Sequence, residues 1–430
     1  MPEQFSTPST SAEPTPATGP VRPKERIEIL DILRGFALFG VLLANMSDAL
    51  PWSFLFAELW RGTADQVALW LIEFFVTGKF LRLFSFLFGL GFALQLGRAE
   101  SLGARFVPLY VRRLAVLLLI GLAHFLVGWT DILHAYAVLA VLLLLLRTCR
   151  PRTLLIVAFA CLLIGPAYDA VVTGVHDLRR ADPQTAQQVI REDAQRAAET
   201  KAWNEQALRV HSRGSFREIT AHNARDFARY LSSHYPLTWW LGGIFPVFLL
   251  GLYAGRRRIL ENIPEHLPFI RNVLWWGLGL GLLGMSANLV VTHLLANPAW
   301  PFLTQQFAGL LWTVGAPALC LSYAAAITLL VQREGWKKRL APLAAVGRLA
   351  LSNYLFQTLM AVLIFYSYGF GLWGKVGPLG GAVMALLIFP FQILLSLWWL
   401  RHFRFGPAEW LWRSLTYGKL QPMRVAAREA

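Results

Sequence analysis

Long apolar runs separated by short basic loops organise the chain. An α-helix needs roughly 20 mostly apolar residues to cross the hydrocarbon of a bilayer. Such runs fall at residues 29–47, 79–98, 110–128, 131–147, 152–172, 237–255, 272–295, 305–331, 342–366 and 378–401. The pattern predicts an all-α, polytopic membrane bundle of about ten transmembrane helices. A further apolar stretch at 64–78 carries Asp65 and Glu73, which leaves it as a re-entrant or interfacial piece or an additional short span. The first run is too long for the apolar core of a signal peptide and lacks a small-residue cleavage site, so it is expected to be retained.

Basic residues test the number of crossings, because they collect in cytoplasmic loops. Arg98, Arg112 and Arg113, then Arg147 and Arg150, then Arg256 and Arg258, then Arg333 and Lys337 fall in every second loop, while the connections at 128–130 and 296–301 carry no basic residue. Both termini are therefore expected in the cytoplasm. One connection, 173–236, is long, mixed in charge and rich in Ala, Gln, Arg and Glu, as expected of an extracytoplasmic helical hairpin. Asp182 before Pro183 predicts a helix start, and Ser215 with Glu218 has the spacing of a capping box. The chain then divides into a disordered tail (1–28), an N-terminal bundle (29–172), the outer hairpin (173–236), a C-terminal bundle (237–401) and an interfacial helix with a tail (402–430).

Composition narrows the function. Apolar residues make up 56% of the chain and charged ones 15%, and the formal net charge is +15. In so apolar a chain, without basic tracts, that excess points to anionic lipid rather than nucleic acid. Cys149, Cys161 and Cys320 show neither a disulfide framework nor a CxxC pair, and the nine histidines contain no HxxxH or HxxEH pattern, so no metal site is expected.

Ionisable groups inside spans are costly unless they face protein or water. His124 ends one run, and Asp131 and His134 open the next across the 128–130 turn. A histidine oriented by a carboxylate suits a general base, so His124 with Asp131 is the candidate pair, and His134 competes. Lys79 and Arg82 could hold an anionic group of a substrate. Asn353 and Gln357, one helical turn apart, could bind substrate or join helices. Asp31 and Arg34 share a helical face, as a buried pair or as part of a site.

Five ordered stretches carry a resemblance: LDILRGFALFGVLLAN at 30–45, KFLRLFSFLFGLGFA at 79–93, DILHAYA at 131–137, GRLALSNYLFQ at 347–357 and RFGPAEWLWRSLTYG at 404–418. Together they resemble the YeiB-like membrane proteins, whose C-terminal part is domain of unknown function 418. That family is grouped with transmembrane acyltransferases through the shared opening Asp31, Arg34 and Gly35. The resemblance implies a bacterial cytoplasmic membrane, with acyl-CoA, acetyl-CoA foremost, as co-substrate. The better-known acyltransferase uses a histidine in the loop after this opening helix. Residues 46–79 hold none, so His124 is the substitute by position.

On this reading Arg34, Arg112, Arg113 and Arg348 bind the acidic nucleotide of the donor, and the acceptor is a small molecule or glycan at the outer face. Membrane lipids surround the bundle, and a homodimer is left open. The competing reading is a secondary transporter of an anionic or lipid-like solute, with two inverted five-helix halves on either side of the hairpin.

Overall fold

The computed structural model describes residues 27–49, 60, 62–101, 106–128, 130–293 and 301–425. The expected tail therefore lies outside the described residues up to position 26, as do Trp129 and residues 294–300 and 426–430. Every regular element among the described residues is helical, apart from one isolated bridge between Phe403 and Arg424.

The helices follow the apolar runs. They are α1 (Glu28–Ala44), α2 (Thr63–Phe75), α3 (Lys79–Ser101), α4 (Phe106–Val127), α5 (Leu133–Leu145), α6 (Pro151–Leu162), α7 (Ile164–Ala181), α8 (Ala186–Arg213) and α9 (Phe216–Ser232). A π-helical segment (Pro236–Ile244) then leads into α10 (Phe245–Arg256), followed by α11 (Ile263–His293), α12 (Pro301–Val331), α13 (Glu334–Arg348), α14 (Ala350–Phe365), α15 (Pro378–His402) and α16 (Pro407–Tyr417). Eight candidate spans among the described residues are long and apolar enough to cross a membrane, and the bent pair α13–α14 makes a ninth. Apolar α5 has only 13 residues, about 20 Å of rise against a hydrocarbon core of about 30 Å.

Burial sorts the spans. Helices α1, α3 and α10 form the centre, with Ile32, Leu33, Leu83 and Val247 removed from the surface. They approach closely because glycine faces backbone: a Cβ at Gly89 would overlap the Phe248 carbonyl, and one at Gly251 would overlap that of Phe86. Helices α6, α11 and α15 present Ile156, Phe159, Leu283 and Leu387 outward, the apolar face a lipid-facing span requires.

Three elements refine the expectations. Stretch 64–78 is α2, joined to α3 through a turn in which Gly78 adopts φ 77°. Asp65 of α2 accepts from Leu379 N at 3.0 Å and so caps the first turn of α15. The hairpin is α8–α9, and the Ser215–Glu218 capping box forms with both of its hydrogen bonds. Its first helix begins at Ala186 rather than after Asp182, because Asp182 Oδ1 accepts from Gln184 N at 3.0 Å and closes a turn first.

The α13–α14 span bends by 80° at Leu349. A carboxylate from elsewhere seals the break. Glu409 of α16 accepts from Leu351 N at 2.6 Å, Ser352 N at 3.1 Å and Ser352 Oγ at 2.5 Å. It thus satisfies amides that the bend leaves without intrahelical partners. Burial pushes the Glu409 carboxyl above its ordinary range, against these hydrogen bonds.

Candidate functional site

A cavity of about 2370 Å³ follows the interior of the bundle. Its wall tracks α1 from Ile27 to Asn45 and α3 from Phe80 to Ser101, so it runs about the length of a span. One end is lined by arginine and the other by histidine and aromatic rings.

At the arginine end, Arg34, Arg98, Arg113, Arg147, Arg256, Arg258, Arg348 and Arg413 face four carboxylates, Asp31, Glu100, Glu261 and Glu409. Two of those carboxylates are engaged: Asp31 holds Arg34 at 2.9 Å, and Glu409 is turned to α14. Arg113 lies 3.9 Å above the ring of Trp412, whose indole N–H donates to the Arg113 carbonyl at 2.9 Å. Arg256 reaches the carbonyls of Arg147 and Cys149 at the end of α5. The sum is a cationic mouth suited to phosphate oxygens. Arg34, Arg113 and Arg348 belong to it as the sequence suggested. Arg112 does not: it is exposed, beside Gly418 at the end of α16. The waist of the cavity is apolar, walled by Phe84, Leu87, Phe88, Leu94 and Leu117.

The histidine end is built on the connection from α4 to α5. Gly121 makes it compact, since a Cβ there would meet His134 N and Asp131 Oδ2 at 2.5 and 2.8 Å. Asp131 Oδ1 accepts from His124 Nδ1 at 2.8 Å, and Oδ2 accepts from His134 Nδ1 at 2.8 Å and from His134 N at 2.9 Å. His124 Nε2 meets Thr358 Oγ1 of α14 at 2.8 Å. A carboxylate only accepts, so both Nδ1 atoms carry protons, and in a neutral ring Nε2 is then the atom with the lone pair. On His124 that lone pair accepts from Thr358. On His134, Nε2 has no hydrogen-bond partner, and the residue lines the cavity.

The two rings differ in what surrounds them. His124 has both nitrogens engaged and does not line the cavity. His134 is the one whose Nε2 has no partner, enclosed edge-on by Phe227 at 5.2 Å, Trp240 at 5.5 Å and Tyr230 at 6.1 Å. Thr358 escaped the sequence reading because it lies 234 residues from His124 and no local pattern links them.

The remaining candidates divide. Lys79 is buried and donates to the Glu73 carbonyl at 2.6 Å, capping α2 rather than facing the cavity. Asn353 and Gln357 join helices: Asn353 Nδ2 donates to Ser396 Oγ at 3.0 Å, and Gln357 Nε2 donates to Gln392 Oε1 at 2.9 Å. Neither lines the cavity, so substrate binding by them is corrected to packing. Arg82 stands behind the cavity wall between Trp239 and Trp312. Among the described residues, no group of three or more His, Cys, Asp or Glu side chains is placed to hold a metal ion.

The hairpin roofs the histidine end. Asn223 of α9 donates to the carbonyls of Leu126 and Gly128 at 3.1 and 2.8 Å, pinning the hairpin over the turn. His211 stacks on Trp373 at 4.5 Å, and burial pushes both His211 and His222 below the ordinary histidine range. Asp226 and Tyr230 of α9 line the cavity, and burial pushes the Asp226 carboxyl up while Trp203 Nε1 donates to it at 3.1 Å.

Fold and site thus define a polytopic helical membrane protein whose long interior cavity is lined by arginines and by a histidine. Residues 254–419 match the family model described as protein of unknown function DUF418. Uncharacterized protein YxaH of Bacillus subtilis is 36% identical over 421 residues, covering 94% of this chain and 97% of its own length. Uncharacterized protein YeiB of Escherichia coli is 28% identical over 400 residues, covering 91% and 96%. The chain belongs to this YeiB-like DUF418 family. No solved structure matches it.

Proposed function

We propose that the protein is a membrane-embedded acyltransferase that moves an acyl group from cytoplasmic acyl-CoA to a hydroxyl or amine presented at the opposite face. One observation carries the reading: the same cavity touches Arg34, Arg113 and Arg348 at one end and His134 at the other. The arginine mouth suits the phosphates of coenzyme A, and the apolar waist suits an extended thioester arm. His134 Nε2 takes the proton of the acceptor hydroxyl or amine. The acceptor oxygen or nitrogen then bonds to the thioester carbonyl carbon, the C–S bond breaks, and the thiolate leaves with the proton from the imidazolium. Asp131 stabilises that imidazolium, and His124 holds Asp131 in place.

Coenzyme A should raise the melting temperature of the purified protein, since a ligand at about 100 times its Kd adds roughly 2.7 kcal/mol to a folded state it binds selectively. Arg113→Ala should remove most of this shift. A shift unchanged in Arg113→Ala would refute the assigned donor site, and no shift in the wild type would refute the donor.

The proposed orientation puts both termini in the cytoplasm of a bacterial cell and the α8–α9 hairpin outside. A cysteine at Gln187, introduced into a variant lacking the native cysteines, should react with an impermeant maleimide on intact cells; reaction only after permeabilisation would invert the topology. The length of the cavity also favours a second reading, a conduit for an anionic solute. Counterflow of solute without coenzyme A binding would select it.

A further inference from the structure

Arg82 is a buried cation whose surroundings do not neutralise it. It is 1% exposed, its Nη1 donates to the Gly78 carbonyl at 2.9 Å, and its Nε has no partner. Among the described residues no carboxylate pairs with it. Its guanidinium lies 4.3 Å from the Trp312 ring centroid and 5.0 Å from that of Trp239. A desolvated cation–π contact contributes about 2 kcal/mol, whereas burying an ion costs several kcal/mol even after relaxation. The two rings together offset much of that cost but leave the Nε proton without an acceptor. Lys79, fully buried, lies near it, with the Glu73 carboxylate near Lys79 in turn.

The cavity runs along the other side of the wall that covers this cation. Gly78, Tyr235, Trp239 and Trp312 all line it. Gly78 sits at φ 77°, and a Cβ there would come within 2.8 Å of Arg82 Nη1, so the missing side chain leaves the guanidinium edge close to the cavity wall. From His134 a path of rings leads to the same place: Tyr230 at 6.1 Å, Tyr235 at 5.5 Å from Tyr230, and Trp239 at 6.0 Å from Tyr235.

We propose that Arg82, framed by Trp239 and Trp312, seats an oxyanion of the acceptor, a phosphate or carboxylate on the same molecule that presents its hydroxyl or amine to His134. The identification of the molecule as acceptor rests on the acyltransferase reading. The seat itself stands on the buried cation, the glycine gap and the aromatic path. The acceptor is therefore an acidic compound, either water-borne or the headgroup of a lipid, lying along an aromatic wall.

The test uses the full chain in phosphatidylcholine nanodiscs, with tryptophan fluorescence and melting temperature as readouts. Glycerol 3-phosphate and glucuronate are titrated as soluble probes, and phosphatidate is incorporated in a parallel set of discs. At least one arm should give a saturable change that Arg82→Gln abolishes. Arg82→Lys keeps the charge without the planar fork and should weaken that change at least about tenfold. Arg113→Ala should leave it intact. A response confined to phosphatidate discs identifies a lipid acceptor, and one to the soluble probes a water-borne acceptor. No response in any arm, or a wild-type response in Arg82→Lys, overturns the seat, and Arg82→Lys carries the test if Arg82→Gln does not fold. Coenzyme A is titrated alongside: its failure to bind, with an Arg82-dependent oxyanion response retained, removes the donor reading and leaves the seat.

Discussion

Replacing His134 with alanine should lower acyl transfer by on the order of 100- to 10,000-fold, the usual cost of removing a positioned base. Release of free thiol from acetyl-CoA, measured in membranes that supply the native acceptor, reads the effect. The prediction follows from the unpartnered Nε2 of His134 at the cavity wall. His124→Ala should be milder, because His124 acts through Asp131, and its loss should appear as reduced thermal stability before it appears in turnover. An equal loss in both variants, with folding unchanged, would return His124 to the chemistry. Unchanged turnover in His134→Ala would remove the base altogether.

Substitutions at Asp131 separate charge from shape. Asp131→Ala removes the acceptor for two ring N–H groups and one backbone N–H. Leaving buried donors unsatisfied costs about 1–3 kcal/mol each, so this variant should not accumulate as folded protein. Asp131→Asn should fold. Its amide oxygen can stay with the two donors of His134 while its NH2 turns to His124, whose ring then accepts at Nδ1 and donates from Nε2 to Thr358. His134 keeps the tautomer it needs. What is lost is the anion facing the imidazolium, worth about 1.5–3 kcal/mol, so turnover should fall roughly 10- to 100-fold. Turnover below that of His134→Ala would show that the tautomer was not preserved.

The bundle was legible because lipid contact demands long apolar runs, and each of the ten runs carries helix. The Ser215–Glu218 cap was legible because its hydrogen bonds are local. Asp182 misled because an aspartate before proline suits a turn as well as a helix start. Within the site, the sequence brought His124, Asp131 and His134 to one short turn but could not say which ring faces the cavity. That depends on Thr358, contributed by a helix far along the chain. Lys79 carried the right charge in the right run, yet its direction is set by the end of α2, which periodicity alone does not reveal.

The C-terminal helix has a bearing on how the protein is made. Glu409 closes the break in the α13–α14 span, Trp412 supports Arg113, and Arg413 and Tyr417 line the cationic mouth. The entrance for the proposed donor is thus completed by a helix that follows all the described spans in chain order. Each of those spans is synthesised before α16, so the mouth stays unfinished until α16 has emerged and docked, converting an inserted bundle into one able to receive its ligand.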